Sequence, residues 1–115
     1  MTVLYGIPNC DTVKKARNWL DKSGVTYRFH DFRKDGLEKA QLQNWLDILG
    51  ADLVVNKRST TWKKLDEKEK AAALGGNAAD ILIAHPTLIK RPVLEKEHLV
   101  QVGFKAEQYE SLFQD

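Results

Sequence analysis

The chain has 115 residues, 43% hydrophobic and 30% charged, with 18 basic against 16 acidic side chains and a formal net charge of +2. That length suits one domain, and so much apolar material excludes a disordered chain. The most apolar stretch, Ala78 to Ala84, is far short of the ~20 residues a bilayer span needs.

The basic residues interleave with acids, as in Asp66-Glu67-Lys68-Glu69-Lys70, which reads as a solvated helix face and not as a nucleic-acid surface. The nearest basic cluster, Asn56-Lys57-Arg58 followed by Lys63-Lys64, is short. The chain enters a strand-like run at once, without the basic and apolar regions of a secretory leader, so a cytoplasmic setting is expected.

Thr2 to Tyr5 is β-branched and aromatic, a strand ending at Gly6. Pro8 and Asn9 break the chain. From Asp11, Val13, Ala16, Trp19 and Leu20 recur at helical spacing until Gly24. Val25, Tyr27 and Phe29 alternate with Thr26, Arg28 and His30, a half-buried strand through Phe32. Leu37 to Leu49 is a second amphipathic helix, stopped by Gly50. Asp66 with Glu69 has the spacing of an acidic capping box, opening a helix that runs to Gly75-Gly76. Asn77 is a candidate cap for a helix through Ala84, which Pro86 stops. Val93-Leu94 and Leu99 to Val102 are strands expected to form a hairpin across Lys96-Glu97. Ala106 to Phe113 reads as a closing helix.

The order is β-α-β, a helical middle, then β-β-α. It predicts an α/β fold of thioredoxin type as a single domain over residues 1–115, with a helical insertion at about 37–85. The first two strands require a right-handed crossover.

A single cysteine, Cys10, excludes an intramolecular disulfide and a thiolate zinc cage. The three histidines, His30, His85 and His98, have no metal-like spacing, and no metal site is expected. Cys10 lies between the first strand and the first helix, where unpaired N–H groups and the helix dipole favour negative charge. A free thiol titrates near ~8.5, so being mostly ionised at neutral pH needs a shift of roughly two pKa units, about 3 kcal/mol. The helix end supplies ~0.3–1 kcal/mol when exposed and ~2 when partly buried. A cation must add to it, either Lys14 one turn on or an arginine from elsewhere, while Asp11 opposes it. An inert, buried thiol is the competing reading. Cys-x-x-Cys chemistry fails because position 13 is Val13. The phosphatase pattern Cys-x5-Arg fails because position 16 is Ala16. An outside thiol must therefore resolve any oxidised Cys10.

Leu4-Tyr5-Gly6-Ile7, Asn9-Cys10-Asp11-Thr12, Lys14-Lys15-Ala16, Phe29-His30-Asp31, Asn56-Lys57-Arg58, Thr60-Thr61-Trp62-Lys63-Lys64-Leu65 and Ile89-Lys90-Arg91-Pro92 together resemble the ArsC/Spx family, in particular its YffB-like branch, over nearly the whole chain. The resemblance implies a thioredoxin-like fold with an inserted helical subdomain, Cys10 as redox-active nucleophile, and Arg91 near the thiol. It also implies a cis peptide bond before Pro92, ahead of the third strand.

Within that family three functions separate. Glutathione/glutaredoxin-coupled arsenate reductases match Cys10 and Arg91 but carry two more anion-binding arginines, which align with Asn56 and about Val102; Arg58 is two residues from the first. Spx-type regulators, which bind RNA polymerase, usually carry the Cys-x-x-Cys switch that Val13 breaks. YffB-like proteins have the single cysteine and are regarded as glutathione-dependent thiol reductases. The resemblance therefore implies glutathione as co-substrate, glutaredoxin as a possible partner, and no bound cofactor. Arg91 would hold the thiolate and a glutathione carboxylate. Asn9 and Thr12 would position backbone and thiol, with Lys14 and Arg58 as further contacts for the acidic tripeptide. A binding or sensing module without catalysis is the reading from another class.

Overall fold

The computed structural model describes residues 1–114. The chain divides into two compact units, one made of Met1–Asp35 with the residues from Arg91 on, the other of Gly36–Lys90. The inserted unit thus ends later than the expected boundary at 85. Beyond Pro86 the chain makes one 3-10 turn, Pro86–Leu88. Ile89 then forms an antiparallel bridge with Val55, framed by Asn56 N–H donating to Leu88 O (2.7 Å) and Lys90 N–H to Val54 O (2.8 Å). Those hydrogen bonds hold 86–90 in the inserted unit.

The first unit begins with β1 (Thr2–Gly6), α1 (Asp11–Lys22), β2 (Arg28–Asp31) and the single-turn α2 (Phe32–Asp35). After the insertion come β3 (Val93–Lys96), β4 (Leu99–Val102) and a closing helix, Ala106–Leu112. β1 pairs parallel with β2 and antiparallel with β3, which pairs antiparallel with β4, giving the order β2-β1-β3-β4. The parallel pair needs a crossover longer than a tight turn, and α1 supplies it. Leu4 of β1 stands opposite Leu94 of β3 and Phe29 of β2, so these three side chains share one sheet face. Against that face pack Ala16 and Leu20 of α1 and Tyr109 of the closing helix. Fully burying each such leucine stabilises the fold by ~1.5–3 kcal/mol.

Two expectations change here. The second strand is shorter than 25–32, because β1 starts at Thr2 opposite the residue before Arg28 and the residues further ahead have no strand alongside. Val25 and Tyr27 still pack half-buried against the core. The hairpin turns across Glu97-His98, since Lys96 pairs with Leu99; Glu97 takes the left-handed conformation, φ 57°.

The inserted unit contains α3 (Lys39–Leu49), α4 (Ala51–Val54), α5 (Thr60–Lys64), α6 (Glu67–Ala73) and α7 (Ala78–Ala84); the closing helix Ala106–Leu112 is α8. Leu42, Trp45 and Leu46 form the buried stripe of α3, and Ala78, Ala79 and Leu82 that of α7. Gly50, at φ 86°, turns the chain between α3 and α4, a backbone conformation other residues rarely adopt. The capping box is present: Asp66 Oδ1 accepts from Glu69 N–H (2.7 Å) while Glu69 Oε1 accepts from Asp66 N–H (3.1 Å). Asn77 precedes α7 but makes no side-chain cap. The short helices α4 and α5 carry too few turns for a periodicity signal, although Ser59 caps α5 through its Oγ, which accepts from Trp62 N–H (3.1 Å).

Candidate functional site

Cys10 is the N-cap residue of α1, with extended backbone angles φ −91° and ψ 127°. Its N–H donates to Ile7 O (3.2 Å), closing the turn through Pro8 and Asn9, and its carbonyl accepts from Lys14 N–H (2.9 Å), the first bond of the helix. The side chain is half-buried and makes no capping hydrogen bond. A sulfur there is at the positive end of a three-turn helix whose first amides its own residue leaves unpaired. Asn9 and Lys14 are exposed and Thr12 is half-buried. Val13 is fully buried in the core.

The contact that presses α1 onto the end of β1 is at Gly6. A Cβ on Gly6 would fall 2.7 Å from Val13 Cγ2 and 3.3 Å from Cγ1. The absence of a side chain therefore sets how closely the helix start approaches the strand, and with it where Cys10 stands.

Arg91 and Pro92 lead into β3. Tyr5 pairs with Val93, so continuing that antiparallel register sets Pro92 level with Gly6 and Arg91 with Ile7, at the end of β1 from which the Cys10 turn departs. The Arg91–Pro92 bond is cis, and Pro92 O accepts from Gly103 N–H (2.9 Å). Arg91 is half-buried, and its Nη1 is buried without a hydrogen-bond partner among the described residues. A buried donor left unpaired costs ~1–3 kcal/mol, more when charged. An anion that reached Nη1 would recover that cost.

Arg58 belongs to the inserted unit. It borders a recess of about 300 Å³ with Asp52, Val55, Asn56, Lys57 and Lys90. Lys57 Nζ pairs with Asp52 Oδ1 at 3.0 Å, and Asn56 Oδ1 accepts from Arg58 N–H (3.0 Å). Lys90 was not among the expected site residues. The bridge between Val55 and Ile89 brings it to Arg58, a long-range pairing that spacing does not reveal. Val102, the other position aligned with a family arginine, pairs with Val93 in the sheet.

His30 lies against Tyr5, ring centroids 4.8 Å apart, and Tyr5 Oη donates to Glu95 Oε1 at 2.8 Å. Among the described residues, no group of three or more His, Cys, Asp or Glu side chains is placed to hold a metal ion. No helix among them is long and apolar enough to cross a membrane.

A β2-β1-β3-β4 sheet with a lone cysteine capping the helix after β1, and a cis proline leading into β3, defines a thioredoxin-type protein of the single-cysteine kind. The ArsC family model matches residues 5–112. The chain belongs to the ArsC family. It is similar to a solved protein named YffB, 44% identical, with TM-score 0.91 over 96% of this chain and 97% of that one. It is also similar to the solution structure of an arsenate reductase (ArsC) related protein from Brucella melitensis, 41% identical, with TM-score 0.77 over 98% of this chain and 94% of that one. Among curated relatives, the global transcriptional regulator Spx of Streptococcus pyogenes serotype M6 is 27% identical over 110 residues, 94% of this chain and 81% of the relative.

Proposed function

We propose that the protein is a glutathione-dependent thiol reductase that works through a mixed disulfide on Cys10. The observation that carries this reading is a lone, half-buried cysteine at the α1 N-cap, in the same unit as an arginine whose buried Nη1 has no hydrogen-bond partner among the described residues. The Cys10 thiolate attacks the glutathionyl sulfur of a mixed disulfide substrate. The Cys10–glutathione disulfide forms, and the substrate thiolate leaves with the electron pair and takes up a proton. A glutathione thiolate then attacks the same glutathionyl sulfur, forming glutathione disulfide and releasing Cys10 as thiolate. Each turnover converts one glutathionylated substrate and one reduced glutathione into the free substrate thiol and one glutathione disulfide. Arg91 balances negative charge at the sulfur and offers a planar donor pair to a glutathione carboxylate. Asn9, Thr12 and Lys14 shape the helix start. Glutaredoxin is a partner for the resolving step, and a cytoplasmic setting suits a free thiol of this kind.

Mass measurement after incubation with oxidised glutathione tests the reading. One glutathionyl unit per folded chain, removed by reduced glutathione and absent in Cys10→Ser, is the expected result. An adduct that forms only after denaturation would mean an inert thiol.

A second reading is a regulator that binds RNA polymerase, which the Spx relatives favour. It predicts co-purification with the polymerase and no turnover with glutathione. The arsenate reductase reading, favoured by the name of the Brucella relative, predicts arsenite formation in a glutathione/glutaredoxin-coupled assay.

A further inference from the structure

The Cys10 end of α1 carries the proposed chemistry, and the same helix carries a second feature further along. Lys15, Asn18, Trp19 and Lys22 stand at helix positions i, i+3, i+4 and i+7, one continuous stripe. Together with Phe104 and Ala106, at the entry to α8, they line a recess of about 320 Å³. The recess has two aromatic walls, Trp19 and Phe104, both half-buried. Tyr109 touches both, its ring edge-on to each, with centroids 5.6 Å from Trp19 and 4.7 Å from Phe104. Tyr109 is itself fully buried, so both walls rest on a fixed core residue, at the base of a shallow recess that is largely open to solvent.

The rim is cationic. Lys15 and Lys22 are exposed, and among the described residues neither is paired with a carboxylate. No lining residue is acidic. Asn18 sits between the two lysines on the stripe and offers an amide donor. Small-molecule sites combine apolar walls with a few convergent polar groups at volumes from ~300 Å³ upward. Unpaired ammonium groups beside aromatic walls select for a flat ring bearing a negative charge.

We propose that this recess is a binding site for a small aromatic carboxylate, its ring between Trp19 and Phe104 and its carboxylate on Asn18 and one of the flanking lysines. The site is separate from the thiol chemistry and needs neither Cys10 nor Arg91.

The probe is 2-naphthoate, titrated into the full chain and followed by backbone amide shifts and the Trp19 indole N–H. A ligand of this size at ordinary ligand efficiency binds with a dissociation constant of about 1 mM. Saturable shifts confined to Lys15–Lys22 and Phe104–Ala106 are expected. The neutral isostere 2-naphthylmethanol should bind at least ~5-fold more weakly, as should the double variant Lys15→Gln/Lys22→Gln, because a charge-assisted bond is worth more than a neutral one. These lysines are on the surface, so that variant keeps its fold and its melting temperature. Cys10→Ser should bind 2-naphthoate like the parent. Shifts that never saturate, shifts centred elsewhere, or equal binding of the neutral alcohol overturn the proposal. So does loss of binding in Cys10→Ser, which would tie the probe to the thiol.

Discussion

Replacing Gly6 with Ala tests the contact that positions the start of α1. The added Cβ would stand 2.7 Å from Val13 Cγ2, about 1 Å inside the ~3.5–4.0 Å of a favourable carbon contact. Val13 cannot rotate away cheaply. It is fully buried, and valine in a helix has one strongly preferred rotamer. Overpacking of this kind costs ~1–3 kcal/mol. Gly→Ala returns ~0.4–1 kcal/mol by restricting the unfolded chain, which leaves a net loss of up to ~2.6 kcal/mol. Val13→Ala alone removes two buried methyl groups, ~1.6 kcal/mol of transfer energy plus a cavity term. In the double variant Gly6→Ala/Val13→Ala the new methyl occupies the space the old ones vacated. The two losses should therefore fall short of additivity by ~1–3 kcal/mol. Urea denaturation of the parent and the three variants, with a common m-value, measures the coupling. Strict additivity would show that the strand and helix do not meet as described. Because Gly6→Ala moves the helix start, it should also slow glutathionylation of Cys10, and the double variant should recover part of the rate.

Arg91→Ala should slow reaction of Cys10 with oxidised glutathione by about tenfold, the loss of one charge-assisted bond of ~1.5 kcal/mol; a rate equal to the parent's would place Arg91 outside the site. Tyr109→Phe should stabilise the protein by ~1–3 kcal/mol, because the Tyr109 hydroxyl is buried without a partner among the described residues. Burial pushes that phenol up, so above pH ~10 the unfolded chain ionises and the folded one does not, and the parent loses ~1.4 kcal/mol per pH unit from this group. The advantage of Tyr109→Phe should accordingly widen above pH ~10 and stay flat below it, and a gap constant with pH would contradict the burial. Asp66→Ala removes one side of the capping box and should cost ~0.5–2 kcal/mol in thermal denaturation; an unchanged midpoint would mean that the bond from Glu69 N–H to Asp66 Oδ1 contributes nothing.

Sequence alone determined the elements with enough turns or alternation to leave a period: β1, α1, α3, α6, α7, β4 and α8. It also set Cys10 at a helix start, because a strand, a Pro-Asn break and an amphipathic run follow one another within a few residues. It ruled out a second thiol at Val13 by counting. These are local facts, decided by neighbours within one turn. What lies between distant residues was decided only by tertiary structure. β2 is trimmed to Arg28–Asp31 by where β1 lies beside it, and the hairpin turns at Glu97-His98 by the pairing of Lys96 with Leu99. Arg91 has its Nη1 buried without an acceptor among the described residues, which no spacing encodes. Lys90 and Arg58 border one recess through the bridge of Val55 to Ile89, and Trp19 and Phe104 both pack on Tyr109. Such pairings depend on strand register and side-chain packing across long stretches of chain, and a periodic pattern carries no record of either.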